Sequence, residues 1–146
     1  AVDALEPKRA VQIFSDDVTG DFMTGRVYTG RDSIERALSK ILLQYEHTSH
    51  HITNHRVEIS GDDATACTWI YAFHRMFETN DVWHLWARHV DELKRIDGSW
   101  KVSKRVLAAI DSEPRWAAIK PDWYYGHPGR CDRDVVKAQL IRDSGQ

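Results

Sequence analysis

Three parts of this sequence carry side chains that could do acid–base chemistry. His50 and His51 are adjacent, where a predicted helix gives way to a predicted strand. His74 lies on the next predicted strand, and His89 lies two residues before Asp91 on the strand after that. An imidazole has an unperturbed pKa of about 6.5, so each histidine could exchange protons near neutral pH. Each could equally be a hydrogen-bonded structural group, and both interpretations stay open at this point.

Strand alternation separates the residues around two of these histidines into a small face and a bulky face. His74 shares its face with small or medium side chains, namely Ala66, Thr68, Ile70 and Ala72. The opposite face carries Cys67, Trp69, Tyr71 and Phe73. On the next strand one face presents Leu85, Ala87, His89 and Asp91. A face of small residues leaves room for a ligand, whereas a bulky one fills a core or an interface.

Several common kinds of functional site find no support in the sequence. His89 and Asp91 have a spacing that could bind a metal, but no second convincing pair joins them, so we expect no metal site. GxSxG, Walker, GxGxxG and HExxH motifs are absent. The enzyme classes that these motifs mark therefore lose their standard signatures.

The composition is that of one globular domain. The chain has 146 residues, of which 42% are hydrophobic and 29% charged. Twenty Lys and Arg residues nearly balance 22 Asp and Glu residues, which argues against nucleic acid or an anionic membrane as partner. Cys67 and Cys131 lie far apart, no signal peptide is recognisable, and we expect a cytoplasmic protein with free thiols.

The elements that would position these side chains follow from hydrophobic periodicity and turn residues. A short helix is predicted over residues 6–14, ended by Asp16 and Asp17, and a short strand over 18–22. A helix with one apolar face follows, carrying Ile34, Ala37, Leu38, Ile41, Leu42 and Tyr45. Four long strands are predicted over 51–59, 64–77, 82–96 and 100–110. This order predicts an α+β domain with a curved antiparallel sheet covered by helices, and a pocket between the layers.

The last part of the chain differs in composition from the rest. Three prolines and the run Trp123-Tyr124-Tyr125 follow Glu113. We expect a domain over residues 1–112 and a C-terminal extension over 113–146, irregular apart from a short helix at 132–141. The extension would pack on the domain or on a neighbouring subunit.

Six short segments, in this order, resemble the SnoaL-like branch of the nuclear transport factor two-like superfamily. They are VD at 2–3, FSDDV at 14–18, YTGRDSI at 28–34, SHHITN at 49–54, ISGDDA at 59–64 and RIDGSWKV at 95–102. The resemblance covers roughly residues 1–110. It implies a cone-shaped α+β barrel, in which a curved mixed or antiparallel sheet is wrapped by helices around a deep pocket.

Within that superfamily the sequence is similar to the scytalone dehydratase, bile acid 7α-dehydratase and hexachlorocyclohexane dehydrochlorinase families. The resemblance implies an Asp–His dyad at Asp3 and His50, with no cofactor. His50 would remove a proton from carbon and Asp3 would orient its imidazole. A second catalytic histidine falls on His74, which would donate a proton to the leaving group. Relatives have a long helix before the aspartate. Only two residues precede Asp3 here, so we expect one flank of the pocket to be open.

The resemblance also implies a substrate site. Its expected members are His89, where a relative has asparagine, together with Phe22, Leu85, Ala87 and Arg105. Two tyrosines that polarise a carbonyl in scytalone dehydratases fall on Val2 and Phe22, which disfavours scytalone itself and leaves a small, largely apolar cyclic compound.

The sequence favours elimination of water or of a hydrogen halide and leaves two alternatives. One is an isomerase or cyclase that uses the same dyad. The other is a non-catalytic module, like the β subunits of ring-hydroxylating dioxygenases. We expect a homotrimer, because relatives assemble so and the bulky face of the second long strand needs covering.

Overall fold

A computed structural model describes residues 1–22 and 26–114, which form one curved six-stranded sheet with two short α-helices. Helix α1 spans Pro7–Ala10 and continues as a 3₁₀ turn over Val11–Ile13; helix α2 spans Arg31–Leu42. The strands are β1 Phe14–Asp21, β2 Val27–Thr29, β3 Tyr45–Ser60, β4 Asp63–Met76, β5 Val82–Ile96 and β6 Ser99–Glu113.

The strand order is β2-β1-β6-β5-β4-β3. Strands β3 to β6 form an antiparallel meander, and β1 pairs with β6 in parallel before β2 closes that edge. The sheet is therefore mixed, as the cone-shaped α+β fold predicts. Tight turns at Gly61 and at Asp97-Gly98 have the positive φ angles that such hairpins require.

The two faces of the meander have different roles. Its inner face carries His50, His74 and a buried apolar cluster, made of Ile70, Ala72, Trp83, Leu85 and Ala87. A second cluster under α2 joins the helices to the sheet and contains Val11, Phe14, Val18, Ile34 and Val102. The outer face carries His51, Trp69, Tyr71, Phe73 and Trp86. The division of small and bulky faces predicted from alternation is confirmed, because Ala72 and Ala87 are fully buried whereas Trp69 is 40% exposed.

Two element boundaries and one short strand differ from the sequence-based prediction. Asp16 and Asp17 do not end a helix: they lie inside β1, which begins at Phe14. Both carboxylates face solvent, and Asp16 forms an ion pair with Arg31 at 2.6 Å. Because neither carboxylate is buried, their charge does not oppose strand pairing. Helix α2 ends at Leu42, and Tyr45 instead begins β3, where it pairs with Met76. Strand β2 was not predicted, since its three residues have no alternation to reveal it.

Strand β6 runs to Glu113, one residue beyond the predicted domain boundary. The predicted helix at 132–141 and the Trp123-Tyr124-Tyr125 run lie outside the described residues. Within the described ranges, no helix is long and apolar enough to cross a membrane.

Candidate active site

The first half of β3 presents two polar side chains to the inner face, two residues apart. Thr48 is buried and pairs across the ladder with His74, and His50 pairs with Ala72. Asp3 belongs to the turn that precedes α1, which is closed by backbone hydrogen bonds from Leu5 and Glu6. The chain reversal at this turn brings the Asp3 carboxylate to the backbone N–H of His50 on β3, 47 residues later in the sequence.

Asp3 and His50 form a close pair. His50 Nδ1 lies 2.5 Å from Asp3 Oδ1, and the backbone N–H of His50 donates to Oδ2 at 3.0 Å. The hydroxyl of Thr48 also donates to Oδ1, at 2.8 Å. Both carboxylate oxygens are thus held by one strand. An ionised carboxylate only accepts, so Nδ1 carries the proton and Nε2 keeps the lone pair that a base needs.

The pKa of Asp3 lies below its usual value because two opposing effects act on the carboxyl. Burial alone would raise the pKa. Hydrogen bonds from the His50 backbone, from the His50 ring and from Thr48 lower it, and together they prevail. Asp3 is therefore a carboxylate across the neutral range, which is the state that orients an imidazole.

His74 is a buried, neutral imidazole beside the dyad. Its ring stacks on Trp83 at 3.9 Å between centroids and contacts Tyr45 at 4.9 Å. The ring of His50 meets it edge to face at 5.3 Å, in the space that the small side chain of Ala72 leaves. Burial, helped by the nearby His50, lowers the pKa of His74 to about 3. Its Nδ1 is buried without a hydrogen-bond partner among the described residues.

His89 and Arg105 lie further along the inner face, where a buried ion pair links β5 to β6. Arg105 donates two hydrogen bonds to Asp91, at 2.8 and 2.6 Å, and its guanidinium lies over the ring of Phe14. Burial and the charge of Arg105 hold the pKa of His89 well below its usual value. Arg105, the cation expected at the substrate site, is thus already paired with the carboxylate of Asp91.

The other expected substrate residues lie in the two apolar clusters. Leu85 and Ala87 belong to the buried cluster of the inner face, in which Ala87 has no exposed surface. Phe22 packs against the cluster under α2 and lies near the rings of Phe14 and Tyr28. The structure thus brings Asp3, His50 and His74 together, and leaves Phe22 in a different cluster.

Two polar residues of the inner face escaped the sequence-based prediction. Thr48 could have been found, because a residue two positions before His50 on a strand shares its face. His55 could not, because a β-bulge between Thr53 and Arg56 shifts the alternation. Asn54 takes a φ of 51° there, and His55 Nδ1 lies 3.3 Å from the hydroxyl of Thr68 on the inner face.

Two open grooves lie away from the dyad. One of about 620 Å³ on the outer side is lined by Trp69, Trp86 and residues 110–114. The other, of about 350 Å³, lies at the β3–β4 hairpin and includes Ile59, Ala64 and Leu93. In the part of the chain that the structure describes, no three His, Cys, Asp or Glu side chains are grouped to hold a metal ion.

Comparison with solved structures returns proteins of the expected type. A candidate scytalone dehydratase from Novosphingobium aromaticivorans is 25% identical, with a TM-score of 0.71 over 76% of this chain and 75% of that one. A type 2 hexachlorocyclohexane dehydrochlorinase is 26% identical, with a TM-score of 0.70 over 76% of each chain. A candidate dehydratase of the NTF2-like family from Streptomyces avermitilis, 13% identical, shares the fold, with a TM-score of 0.66 over 75% of this chain and 86% of that one.

No curated protein sequence matches the chain significantly. The family model of the SnoaL-like domain matches residues 1–106, which is most of the chain and contains Asp3, His50 and His74. The six segments that resembled this family therefore predicted it correctly, and the chain belongs to the SnoaL-like domain family.

Proposed function

We propose that this protein is a cofactor-independent lyase that removes water or a hydrogen halide from a small, largely apolar cyclic substrate. The observation that carries the proposal is the Asp3–His50 pair, with its 2.5 Å contact, set against the buried neutral ring of His74. The similarity to a candidate scytalone dehydratase and to a dehydrochlorinase supports the same class of reaction.

In the proposed reaction His50 acts as the base. Its Nε2 takes a proton from a carbon next to the one that bears the leaving group. The electron pair of that C–H bond forms the new C=C bond, and the leaving group departs with the electrons of its own bond. Asp3 stabilises the resulting imidazolium. A base and its orienting carboxylate of this kind typically contribute about 10²- to 10⁴-fold in rate.

The low pKa of His74 changes the role expected for it from the sequence. A neutral imidazole is a poor proton donor, but its N–H can donate a hydrogen bond to a departing oxygen or halide. We therefore assign His74 to hydrogen-bonding the leaving group. The proton that completes water or the hydrogen halide comes from the His50 imidazolium.

An isomerase or cyclase with the same dyad is the alternative within the enzyme class. It would return the proton to a different carbon and expel nothing. Mass analysis of the product separates the two reactions, since elimination lowers the mass by that of water or the hydrogen halide and isomerisation leaves it unchanged.

The test of the proposal is turnover of a panel of cyclic β-hydroxy ketones and chlorinated rings, with Asp3→Asn as the variant. Asparagine keeps the shape of aspartate, but its neutral amide cannot stabilise the positive charge of the His50 imidazolium. We expect kcat/KM to fall by about 10²-fold or more. Full activity of Asp3→Asn on a substrate that the unmodified protein eliminates would show that the dyad is wrongly assigned.

We also propose that the outer face is covered by other copies of the chain in a homotrimer. Trp69 and Trp86 are 40% and 37% exposed beside the larger groove. Arg88 lies over the ring of Trp69, and its buried Nε has no hydrogen-bond partner among the described residues. Asp111 and Glu113 lie on the same face, opposite Trp86 and His84, and could pair with the Arg88 of a neighbouring copy. If the protein were instead a non-catalytic module, like the β subunits of ring-hydroxylating dioxygenases, a larger partner chain would cover this outer face.

A further inference from the structure

Thr48 is a buried side chain that touches the dyad without being part of it. It lies on β3 two residues before His50, and its neighbour across the ladder is His74. Its hydroxyl donates to Asp3 Oδ1 at 2.8 Å, the same oxygen that His50 Nδ1 approaches. Only 9% of the residue is exposed, so its hydroxyl needs this acceptor in place of water.

The carboxylate that Thr48 contacts takes part in three hydrogen bonds, of which two come from His50 itself and one from Thr48. Asp3 lies in a four-residue turn near the chain start, and 43% of its side chain is exposed. A hydrogen bond from the His50 ring alone would leave the carboxylate free to rotate about that contact. The Thr48 hydroxyl and the His50 backbone N–H hold the two oxygens separately, at 2.8 and 3.0 Å. Two donors on one rigid strand thus define the plane of the carboxylate.

We propose that Thr48 is a positioning residue that holds Asp3 in the orientation in which it directs the His50 imidazole. This inference rests on the proposed function, because it concerns the same dyad. Thr48 acts through Asp3 and does not touch the reacting atoms.

The experiment compares Thr48→Val with Thr48→Ser. Valine keeps the shape of threonine and removes the hydroxyl, whereas serine keeps the hydroxyl. Loss of a hydrogen bond to a charged group predicts a fall in kcat of about 10- to 100-fold for Thr48→Val, with KM changed less than about threefold. Thr48→Ser is expected to stay within about threefold of the unmodified protein. Thr53→Val, the same substitution at an exposed position on this strand, is the matched control.

A double-variant cycle separates positioning from a structural effect. In an Asp3→Ala background Thr48 has nothing to position, so Thr48→Val is expected to cost less than about twofold there. An equal cost in both backgrounds, or failure of serine to restore kcat, overturns the inference. If Asp3→Ala itself keeps full activity, the proposed function fails. If Asp3→Ala loses activity but Thr48→Val keeps it, only the role of Thr48 fails.

A second measurement needs no substrate. The ¹⁵N chemical shifts of the His50 ring report which nitrogen carries the proton. We expect the Nδ1–H tautomer to dominate at high pH in the unmodified protein and in Thr48→Ser, and a mixture of tautomers in Thr48→Val. An unchanged tautomer population in Thr48→Val contradicts the inference.

Discussion

At the scale of single residues, the site holds two histidines in different environments. His50 keeps a quarter of its side chain exposed and bonds to a carboxylate, whereas His74 is buried between aromatic rings. The two imidazoles therefore have different capacities. In the proposed function His50 accepts a proton from the substrate, and His74 stays neutral beside it.

The low pKa of His74 predicts that stability falls as the solution becomes acidic. An unfolded chain binds a proton at this residue below a pH of about 6.5, but the folded protein does so only near 3. Between those values the unfolded state binds more protons, so stability is lost as pH falls, by at most about 1.4 kcal/mol per pH unit from this group.

Urea unfolding measured between pH 7 and 4 checks this prediction. His74→Asn should show a weaker loss of stability toward low pH than the unmodified protein does. His47→Asn is the control, because the His47 side chain is 70% exposed. Parallel pH dependences for the unmodified protein and His74→Asn would contradict the assignment.

Most of the residue-scale site could be predicted from the sequence, and its limits have physical causes. The segment around His50, together with Asp3, pointed to residues that the structure brings into contact. Arg105 could not be read as an ion-pair partner, because its carboxylate lies on another strand, 14 residues away. The neutral state of His74 depends on Tyr45 and Trp83, which are distant from one another in sequence.

At the scale of elements, two features of the sheet set which side chains face inward. The bulge in β3 between Thr53 and Arg56, where Asn54 has a φ of 51°, shifts the alternation of inward and outward side chains. The ion pair between Asp91 and Arg105 joins β5 to β6 across the same face. Neither feature is visible in hydrophobic alternation, because one interrupts it and the other depends on pairing between strands.

The left-handed conformation of Asn54 predicts unequal tolerance to substitution. A β-branched residue is strained at positive φ and glycine is not. Asn54→Val is expected to lower the free energy of unfolding by about 1–2 kcal/mol, and Asn54→Gly by less than half of that. Chemical denaturation of both variants checks it. Equal losses would mean that the bulge is absent in solution.

The ion pair predicts a large effect when one partner is removed alone. The side chains of Arg105 and Asp91 are 13% and 9% exposed, so Arg105→Leu leaves a buried carboxylate without a counter-charge. We expect Arg105→Leu to lose about 3–5 kcal/mol of stability, and a second substitution, Asp91→Leu, to recover most of it. A small loss in the single variant would instead indicate that Arg105 is free to bind substrate.

At the scale of the whole molecule, the fold was the most predictable feature. The sequence shows four long strands separated by strong turns, which predict the meander. The two helical segments before them predict the helices that pack on the sheet. The parallel pairing of β1 with β6 was beyond reach, because it joins segments about 85 residues apart that no local pattern connects.

The exposed aromatic surface makes a prediction about assembly. Trp69→Glu places a charge on the outer face, where it would be buried in a homotrimer. We expect the unmodified protein to have the mass of three chains by light scattering, and Trp69→Glu to have a lower mass with an unchanged fold by circular dichroism. A monomeric unmodified protein, or one that requires a larger partner chain, would contradict the trimer.

The proposed function depends most on His50 as the base. The most direct measurement is kcat/KM of His50→Ala on the first substrate that the unmodified protein turns over, with His47→Ala as the control. We expect His50→Ala to lose about 10²- to 10⁴-fold and His47→Ala to stay within about twofold. If His50→Ala retains more than about a third of the activity, His50 is not the base.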